Sequence, residues 1–276
     1  MGKDFYEDRK VALHMGKVLL TGAAGGLGTV LTKALADEFD LVLTNRSESD
    51  ELPSDIPFIK ADLNDFEAIK SIVQDNDIET IIHFGGLPVE HEFEEILDAN
   101  LRGTYHIYEA ARLAGVKRVI YASSIHAVGF LDAREAPYDI HTETRPDTFY
   151  GLSKVYNENL GKLYHDKFGI EVVNLRICGC VEKPDSKEHL MIWLSHDDLI
   201  QLVRKSIITE IDDVVTIYGI SDNTRSFFKV DRDNPLNYSP KDNAEDYVHL
   251  LPDSFGHEDD RKFIGGHQFV KKDAVE

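Results

Sequence analysis

A glycine-rich turn near the start of the chain constrains the fold more than any other feature. The apolar run 18–20 is followed by the segment 21–28, TGAAGGLG, then by apolar residues at helical spacing and a second apolar run at 41–43. This order predicts a strand–helix–strand unit whose glycines let the backbone approach a pyrophosphate at the helix N-terminus. A tight turn without a ligand is the alternative. No Lys-Ser/Thr pair follows, which excludes a triphosphate-binding loop.

Short apolar runs recur along the chain as far as residue 218. Further runs lie at 58–59, 80–84, 118–122, 170–175 and 214–218, and helical patterns lie between them at 64–75, 92–114 and 150–168. Strands buried on both faces of a parallel sheet give continuous apolar runs of this kind. The pattern predicts an α/β fold, a Rossmann-like doubly wound parallel sheet that binds its ligand at the carboxyl ends of the strands.

The regular alternation weakens after Arg176, which suggests a division of the chain. We expect 1–15 to be a leader outside the fold, 16–176 to be the dinucleotide-binding domain, and 177–276 to be a small C-terminal lobe that binds substrate within the same compact unit. Ser195, followed two and three positions later by acids, predicts the N-cap of one more helix.

The charge balance limits the partners. The formal net charge is −20, which repels nucleic acid and anionic membranes. No apolar run approaches the length of a membrane span. The only cysteines, Cys178 and Cys180, lack the further ligands of a zinc site. We therefore expect a cytoplasmic protein with no structural metal, no nucleic-acid partner and no membrane partner, and a homo-oligomer is possible.

Three polar residues stand where a reactive group would face the crevice above the sheet. Ser124 follows the apolar run 118–122, and Tyr150 and Lys154 open a helical pattern. Residues four apart share a helix face, so an ammonium can lie near the phenol. Lowering a tyrosine pKa by about three units takes about 4 kcal/mol of favourable interaction, which we expect from Lys154 and an oxidised nicotinamide. Each residue alone could be incidental; their order on these elements favours catalysis.

With these residues the sequence resembles the extended short-chain dehydrogenase/reductase family over about 16–250. Its TGxxGxxG turn matches Thr21, Gly22, Gly25 and Gly28. The resemblance implies NAD as cofactor and Ser124, Tyr150 and Lys154 as catalytic residues. The cofactor contacts it implies are Gly22, Gly25, Gly26, Leu27, Gly28, Asn45, Arg46, Asp62, Leu63, Phe84, Gly85, Gly86, Asn100, Tyr150, Lys154 and Ile177.

Within this family the chain resembles the uronate dehydrogenases and related NAD-dependent sugar dehydrogenases. The resemblance lies in stretches such as HFGGLPVEHEFEEIL, ASSIHAVG, RPDTFYGLSK and FIGGHQF. It implies oxidation of a cyclic sugar at C1 to a lactone. The substrate positions it implies are Ser124, Ile125, His126, Pro88, Gly179 and Glu188.

Those positions also show departures. Pro88, Ile125 and Gly179 replace polar contacts, and Glu188 stands where uronate dehydrogenases place an arginine for the substrate carboxylate. Glu188 would repel a substrate carboxylate, so we expect a neutral sugar to fit better than a uronate. The alternative is that Lys183, Lys187 or His189 binds the carboxylate in place of the arginine.

The end of the second strand bears on cofactor choice. NAD-selective relatives place an acid there, where this chain has Asn45 followed by Arg46. Neutral Asn45 leaves room for the 2′-phosphate of NADP, so we expect NAD to be used and NADP to be possible. Two alternatives to a dehydrogenase stay open: a nucleotide-sugar epimerase or dehydratase, and a non-catalytic redox-sensing Rossmann protein.

Overall fold

A computed structural model describes residues 16–251 and 262–266, so the expected leader 1–15 lies outside the described residues. The strands are β1 Lys17–Thr21, β2 Leu41–Asn45, β3 Phe58–Lys60, β4 Ile78–His83, β5 Arg118–Ser124, β6 Glu171–Ile177, β7 Gly179–Cys180, β8 Trp193–Leu194 and β9 Val214–Gly219. The α-helices are α1 Gly26–Leu35, α2 Phe66–Asp75, α3 Phe93–Ile96, α4 Gly103–Ala114, α5 Phe149–Phe168, α6 His189–Ile192 and α7 His196–Ile208.

Seven strands form one parallel sheet in the order β3-β2-β1-β4-β5-β6-β9. The strand order reverses beside β1, where β2 lies on one side and β4 on the other. In such sheets the ligand crevice opens above the carboxyl ends of the strands at this switch point. The predicted doubly wound sheet is confirmed.

Both faces of the sheet are covered, which explains the continuous apolar runs. In β1, Val18 and Leu20 pack into one core with α1 and α7, whereas Leu19 packs into a second core with α2, α4 and α5. All three side chains have no solvent exposure. Successive residues of a strand point to opposite faces, so a strand covered on both faces favours apolar residues at consecutive positions.

The residues after β6 add a strand to the sheet and a helix to one of its faces. Some of them also lie near the carboxyl ends of the strands, where the ligand crevice opens. Strand β9 pairs with β6, and Arg204 of α7 forms an ion pair with Glu38. The predicted cap is confirmed, because the Asp198 amide donates to Ser195 Oγ over 3.0 Å. The segment 262–266 lies along 129–133, where the Gly265 amide donates to the Gly129 carbonyl over 2.9 Å.

The predicted helix 92–114 is interrupted. A π-helical segment, Leu97–Arg102, joins α3 to α4 and carries the buried Asn100. Such a bulge frequently marks a functional site, because it redirects side chains from the regular helical face. No helix among the described residues is long and apolar enough to cross a membrane.

Candidate active site

One cavity of about 990 Å³ extends along the carboxyl ends of the strands at the switch point. All the cofactor, catalytic and substrate residues expected from the sequence line it except Asn100. Small-molecule sites seldom exceed this volume. The fold therefore collects residues from nearly the whole length of the described chain into a single site large enough for an extended ligand.

The glycine turn forms a backbone cradle at one end of this cavity. Gly22 has a φ of +72°, and a Cβ there would lie 2.6 Å from the Phe84 carbonyl oxygen. A Cβ at Gly28 would overlap the Gly22 carbonyl oxygen. Gly25 caps α1 without a side-chain hydrogen bond, and the first turn of α1 contains no acid. The amides at this helix N-terminus thus suit a pyrophosphate, so the residues present fit a dinucleotide cofactor.

The next part of the cavity wall is neutral at the end of β2. The Asn45 side-chain amide donates to the Ser47 carbonyl over 3.0 Å, and Arg46 is exposed beside it. Asp62, after β3, accepts from the Asn64 amide over 2.8 Å. The place where NAD-selective relatives carry an acid is therefore occupied by an amide held by its own turn.

His83, at the end of β4, is structural. Its Nδ1 lies 2.7 Å from Thr21 Oγ1 and its Nε2 lies 3.0 Å from Thr104 Oγ1. Burial, with a smaller contribution from the Lys154 charge, lowers the pKa of His83 to about 3. The Thr21 hydroxyl also accepts from the Gly85 amide over 3.1 Å. A neutral His83 thereby ties β4 to the turn after β1 and fixes the floor of the cradle.

Asn100 acts on the loop after β4. Its Oδ1 accepts from the Leu87 amide over 2.8 Å, and its Nδ2 donates to the Leu87 carbonyl over 3.1 Å. Its Nδ2 is also 3.2 Å from Ser153 Oγ in α5. A Cβ at Gly86, whose φ is +129°, would lie 2.8 Å from Asn100 Oδ1. In this structure Asn100 therefore positions the loop that lines the cavity, instead of lining it.

Tyr150 is presented by a strongly capped helix N-terminus. Thr148 Oγ1 accepts from the Gly151 amide over 2.9 Å, and Glu90 Oε2 accepts from the Tyr150 amide over 2.6 Å. Ser124 lies at the end of β5; burial raises the pKa of Tyr150, and hydrogen bonding with Ser124 partly offsets this. The predicted strand-end hydroxyl and helical phenol therefore meet.

Lys154 lies near Tyr150, as the four-residue spacing predicted, and its ammonium is over the face of the ring. Its ammonium donates to the Ala122 carbonyl over 2.8 Å and lies 5.1 Å from the Tyr150 ring centroid. Burial lowers the pKa of Lys154 to about 7 and raises the pKa of Tyr150 to about 12. In the protein without a cofactor, burial raises the pKa of Tyr150 despite the nearby ammonium, and the expected lowering by Lys154 together with an oxidised nicotinamide stays a prediction.

Sequence reasoning missed a buried acid one turn beyond Lys154. Glu158 accepts from Ser123 Oγ over 2.6 Å and from Arg176 through two nitrogens, at 2.9 and 2.8 Å. Its charge opposes the lowering of the Lys154 pKa. The signal was present, because Glu158 continues the four-residue spacing of Tyr150 and Lys154 on the buried face of α5. Glu90 and Asp147 were missed as well.

The substrate end is lined by an acidic and imidazole-bearing loop. Glu182, Ser186, Glu188 and His189 line the cavity there. A Cβ at Gly179 would lie 2.9 Å from the His189 ring, so this glycine makes room for the imidazole. Within the described part of the chain, Lys183 and Lys187 are outside the cavity lining.

Residues 16–251 and 262–266 contain no cluster of three or more His, Cys, Asp or Glu side chains suited to a metal ion.

The fold and this site define a class, a Rossmann-type protein with a dinucleotide cradle beside a Ser–Tyr–Lys group. Residues 18–196 match the NAD dependent epimerase/dehydratase family, and the chain belongs to that family. This membership confirms the family resemblance seen in the sequence.

Named relatives agree with this assignment. A uronate dehydrogenase from Pseudomonas syringae pv. tomato is 42% identical over 83% of each chain. An NAD-dependent glucose-6-phosphate dehydrogenase from Haloferax volcanii is 34% identical over 84% of this chain and 95% of its own. A mutant of the uronate dehydrogenase from Agrobacterium tumefaciens, complexed with NAD, matches with a TM-score of 0.87 at 33% identity, over 95% of this chain and 99% of that one.

Proposed function

We propose that this protein is an NAD-dependent sugar dehydrogenase that oxidises C1 of a cyclic sugar to the lactone. The observation that carries the proposal is the meeting of Ser124, Tyr150 and Lys154 in the cavity that also contains the glycine cradle. Relatives named uronate and glucose-6-phosphate dehydrogenase support the substrate class. Bound NAD supplies the hydride acceptor and, when oxidised, a positive charge.

The residues around C1 have separate tasks. Ser124 holds the C1 hydroxyl, and Tyr150, as the phenolate, takes its proton while the C1 hydrogen leaves as hydride, so that C1–OH becomes the C1 carbonyl of the lactone. Burial holds the pKa of Tyr150 at about 12 in the protein alone. Lys154, which lies over the Tyr150 ring, would hold the nicotinamide ribose. Its charge, together with the positive charge that an oxidised nicotinamide would supply, would favour the phenolate.

The cavity lining favours a neutral sugar over a uronate. Glu188 faces the cavity in a loop whose lysines, Lys183 and Lys187, do not line it. A substrate carboxylate next to Glu188 would be repelled by the charge of that residue, and the repulsion would weaken substrate binding most strongly once water is displaced from the site. The sugar's neutral hydroxyls can instead donate hydrogen bonds to this acid.

A substrate panel tests the proposal. Neutral aldoses, aldose phosphates and uronates are each incubated with NAD, and NADH formation is followed by absorbance. Net NADH release from a free sugar, with lactone as product, is the expected result. Conversion of a nucleotide diphosphate sugar without net NADH would support an epimerase instead. Tight cofactor binding with no turnover on any sugar would support a redox sensor.

We further place the enzyme in a reducing cytosol. Cys178 and Cys180 are free thiols in the structure, with Cys178 buried against the substrate end of the cavity. Burial raises the pKa of both thiols, which keeps them protonated and unreactive.

A further inference from the structure

The ammonium of Lys154 lies against two aromatic rings, and the proposed chemistry uses only one of them. Its Nζ is 5.1 Å from the centroid of the Tyr150 ring and 5.0 Å from the centroid of the Tyr121 ring. Tyr121 belongs to β5, is 1% exposed and lies outside the cavity lining. It is therefore placed to act on the ammonium and not directly on a ligand in the cavity.

The buried ammonium has few other groups to offset its loss of water. An ammonium has three N–H donors, and among the described residues the Ala122 carbonyl accepts from it over 2.8 Å. Glu158 favours the charged form, but its carboxylate also accepts two hydrogen bonds from Arg176 and one from Ser123. A desolvated charge needs compensation. Aromatic ring faces supply it, because the ring quadrupole attracts a cation within about 6 Å.

The orientation of the Tyr121 ring is fixed by the fold. Asn157, which has no solvent exposure, donates through Nδ2 to the Tyr121 hydroxyl over 2.8 Å and to the Asn100 carbonyl over 3.0 Å. The His83 ring packs near the tyrosine, with 5.8 Å between the ring centroids. The π-helical segment that carries Asn100 and the end of β4 therefore hold the ring against Lys154.

The titratable groups that face Lys154 from β4 and β5 are neutral near pH 7. Burial raises the pKa of Tyr121 well above its usual value and lowers the pKa of His83 to about 3. On its own helix, Lys154 faces Tyr150, whose pKa is raised to about 12, and the Glu158 carboxylate. Tyr121 is thus not a second base, and what it offers the ammonium is its ring face.

We propose that Tyr121 is a positioning residue whose ring face holds the charged ammonium of Lys154 beside Tyr150. The role deepens the proposed sugar oxidation and rests on it, since Lys154 favours the phenolate of Tyr150 only while it is charged. The ring contact favours the charged form and so partly offsets burial, which lowers the pKa of Lys154 to about 7. A weaker ring face should therefore lower this pKa further.

Fluorination of the ring tests this role and keeps the side chain in place. Fluorine withdraws electron density from the ring face, so phenylalanine with three ring fluorines keeps nearly the shape of phenylalanine but attracts a cation weakly. Tyr121→Phe and Tyr121→trifluorophenylalanine are compared in the full-length protein without cofactor. NMR of ¹³C-labelled lysine ε-methylene groups follows the titration of Lys154, and Lys154→Met assigns its signal.

The trifluorinated ring should lower the pKa of Lys154 by about 0.5 or more relative to Tyr121→Phe. Equal values in the two variants would overturn the proposal. If Tyr121→Phe does not fold, tyrosine with a single ring fluorine keeps the hydroxyl for Asn157 and should lower the pKa of Lys154 in the same direction. An unchanged or raised pKa in that protein would be equally contrary.

The same pair of substitutions at Tyr164 is the matched control. Tyr164 is a buried tyrosine of α5 whose ring packs against the rings of Tyr108 and Phe168. Fluorination there perturbs the core to a similar degree but should leave the titration of Lys154 unchanged. An equal lowering from Tyr164 would show that a general loosening of the core, and not the Tyr121 ring face, moves the pKa.

Turnover connects the contact to the reaction. Above the pKa of Lys154, a lowering by about 0.5 reduces the protonated fraction about threefold. The kcat on the best sugar of the panel should therefore fall about threefold from Tyr121→Phe to the trifluorinated variant, while KM changes less than about twofold. An unchanged kcat despite a lowered pKa would refute the role in the reaction. If the unmodified protein oxidises no sugar, the proposed function fails, whereas the NMR titration still decides whether Tyr121 holds the Lys154 charge.

Discussion

The Lys154 ammonium lies over the face of the Tyr150 ring, 5.1 Å from its centroid, and donates to the Ala122 carbonyl over 2.8 Å. A lysine in this position lowers the stability of the fold, since its charge is buried and, among the described residues, donates a hydrogen bond to the Ala122 carbonyl. The cost of this buried charge to the stability of the fold depends on pH, because Lys154 can lose its proton.

The first prediction concerns this pH dependence of stability. The folded-state pKa of Lys154 is lowered from 10.5 to about 7. Below pH 7 Lys154 is charged in the folded protein, and the full cost of burying that charge lowers the free energy of unfolding. Between pH 7 and 10.5 the unfolded chain keeps a proton on Lys154 that the folded chain lacks, so this cost decreases as pH rises and the folded protein becomes more stable. Relative to Lys154→Met, the unmodified protein should thus gain up to about 4 kcal/mol between pH 7 and 10.

Urea unfolding of cofactor-free protein at several pH values measures this difference. Comparison across pH removes the constant effect of leaving the Ala122 carbonyl without its donor. Lys162→Met, an exposed position on the same helix, is the control and should show no such trend. A stability difference for Lys154→Met that stays flat from pH 7 to 10 would contradict the burial argument.

The second prediction concerns the glycine cradle. Gly28→Ala places a Cβ against the Gly22 carbonyl and 2.8 Å from the Ala23 Cα, so the turn must open. We expect at least tenfold weaker NADH binding and a lower melting temperature. Gly26→Ala is the control for the melting temperature only, because a Cβ there meets nothing within 4 Å of protein, whereas Gly26 lines the cavity. Fluorescence titration measures NADH binding to Gly28→Ala, and thermal melting compares the two variants; an equal loss of melting temperature would show that the close approach at Gly28 is not limiting.

The third prediction concerns cofactor choice at the end of β2. Because Asn45 is neutral and Arg46 lines the cavity, the unmodified enzyme should prefer NAD to NADP by less than a thousandfold in kcat/KM. Asn45→Asp should raise that preference at least tenfold, since a carboxylate repels the 2′-phosphate. Asn159→Asp, an exposed site on α5, carries the same charge change and should have no effect. An unmodified enzyme that already exceeds a thousandfold would refute this reading.

The fourth prediction concerns substrate charge. Glu188→Arg should raise kcat/KM for a uronate relative to the matching neutral aldose by tenfold or more, or about 1.4 kcal/mol of differential transition-state binding. Glu143→Arg, an exposed site outside the cavity lining, separates local from long-range charge. If the unmodified enzyme already prefers galacturonate or glucuronate, Glu188 does not exclude a carboxylate and another residue must bind it.

Much of this site could be predicted from local spacing. The strands follow from uninterrupted apolar runs, the turn follows from its glycines, and the Tyr150–Lys154 pair follows from four-residue spacing. Asp147 and Glu90 could not be found in this way, because their partners His126 and Tyr150 lie 21 and 60 residues away along the chain. Such pairs exist only once the sheet brings strand ends and helix starts together.

The depth of burial of the Tyr150–Lys154 pair could not be predicted from the sequence either. Spacing correctly predicted that Lys154 approaches Tyr150, but it carries no information on how deeply both groups are buried. Desolvation raises the pKa of the phenol and lowers that of the ammonium, opposite to the effect of their mutual attraction. Only the packed structure shows which effect is larger.

The central claim, that Tyr150 is the base in the oxidation of a sugar, is tested most directly by Tyr150→Phe. Steady-state NADH formation on the best sugar of the panel is measured together with NADH affinity, and Tyr156→Phe, an exposed tyrosine on the same helix, is the control. We predict at least a hundredfold loss of kcat in Tyr150→Phe, the usual scale for a general base, with NADH affinity retained. Near-normal turnover in that variant would contradict the account.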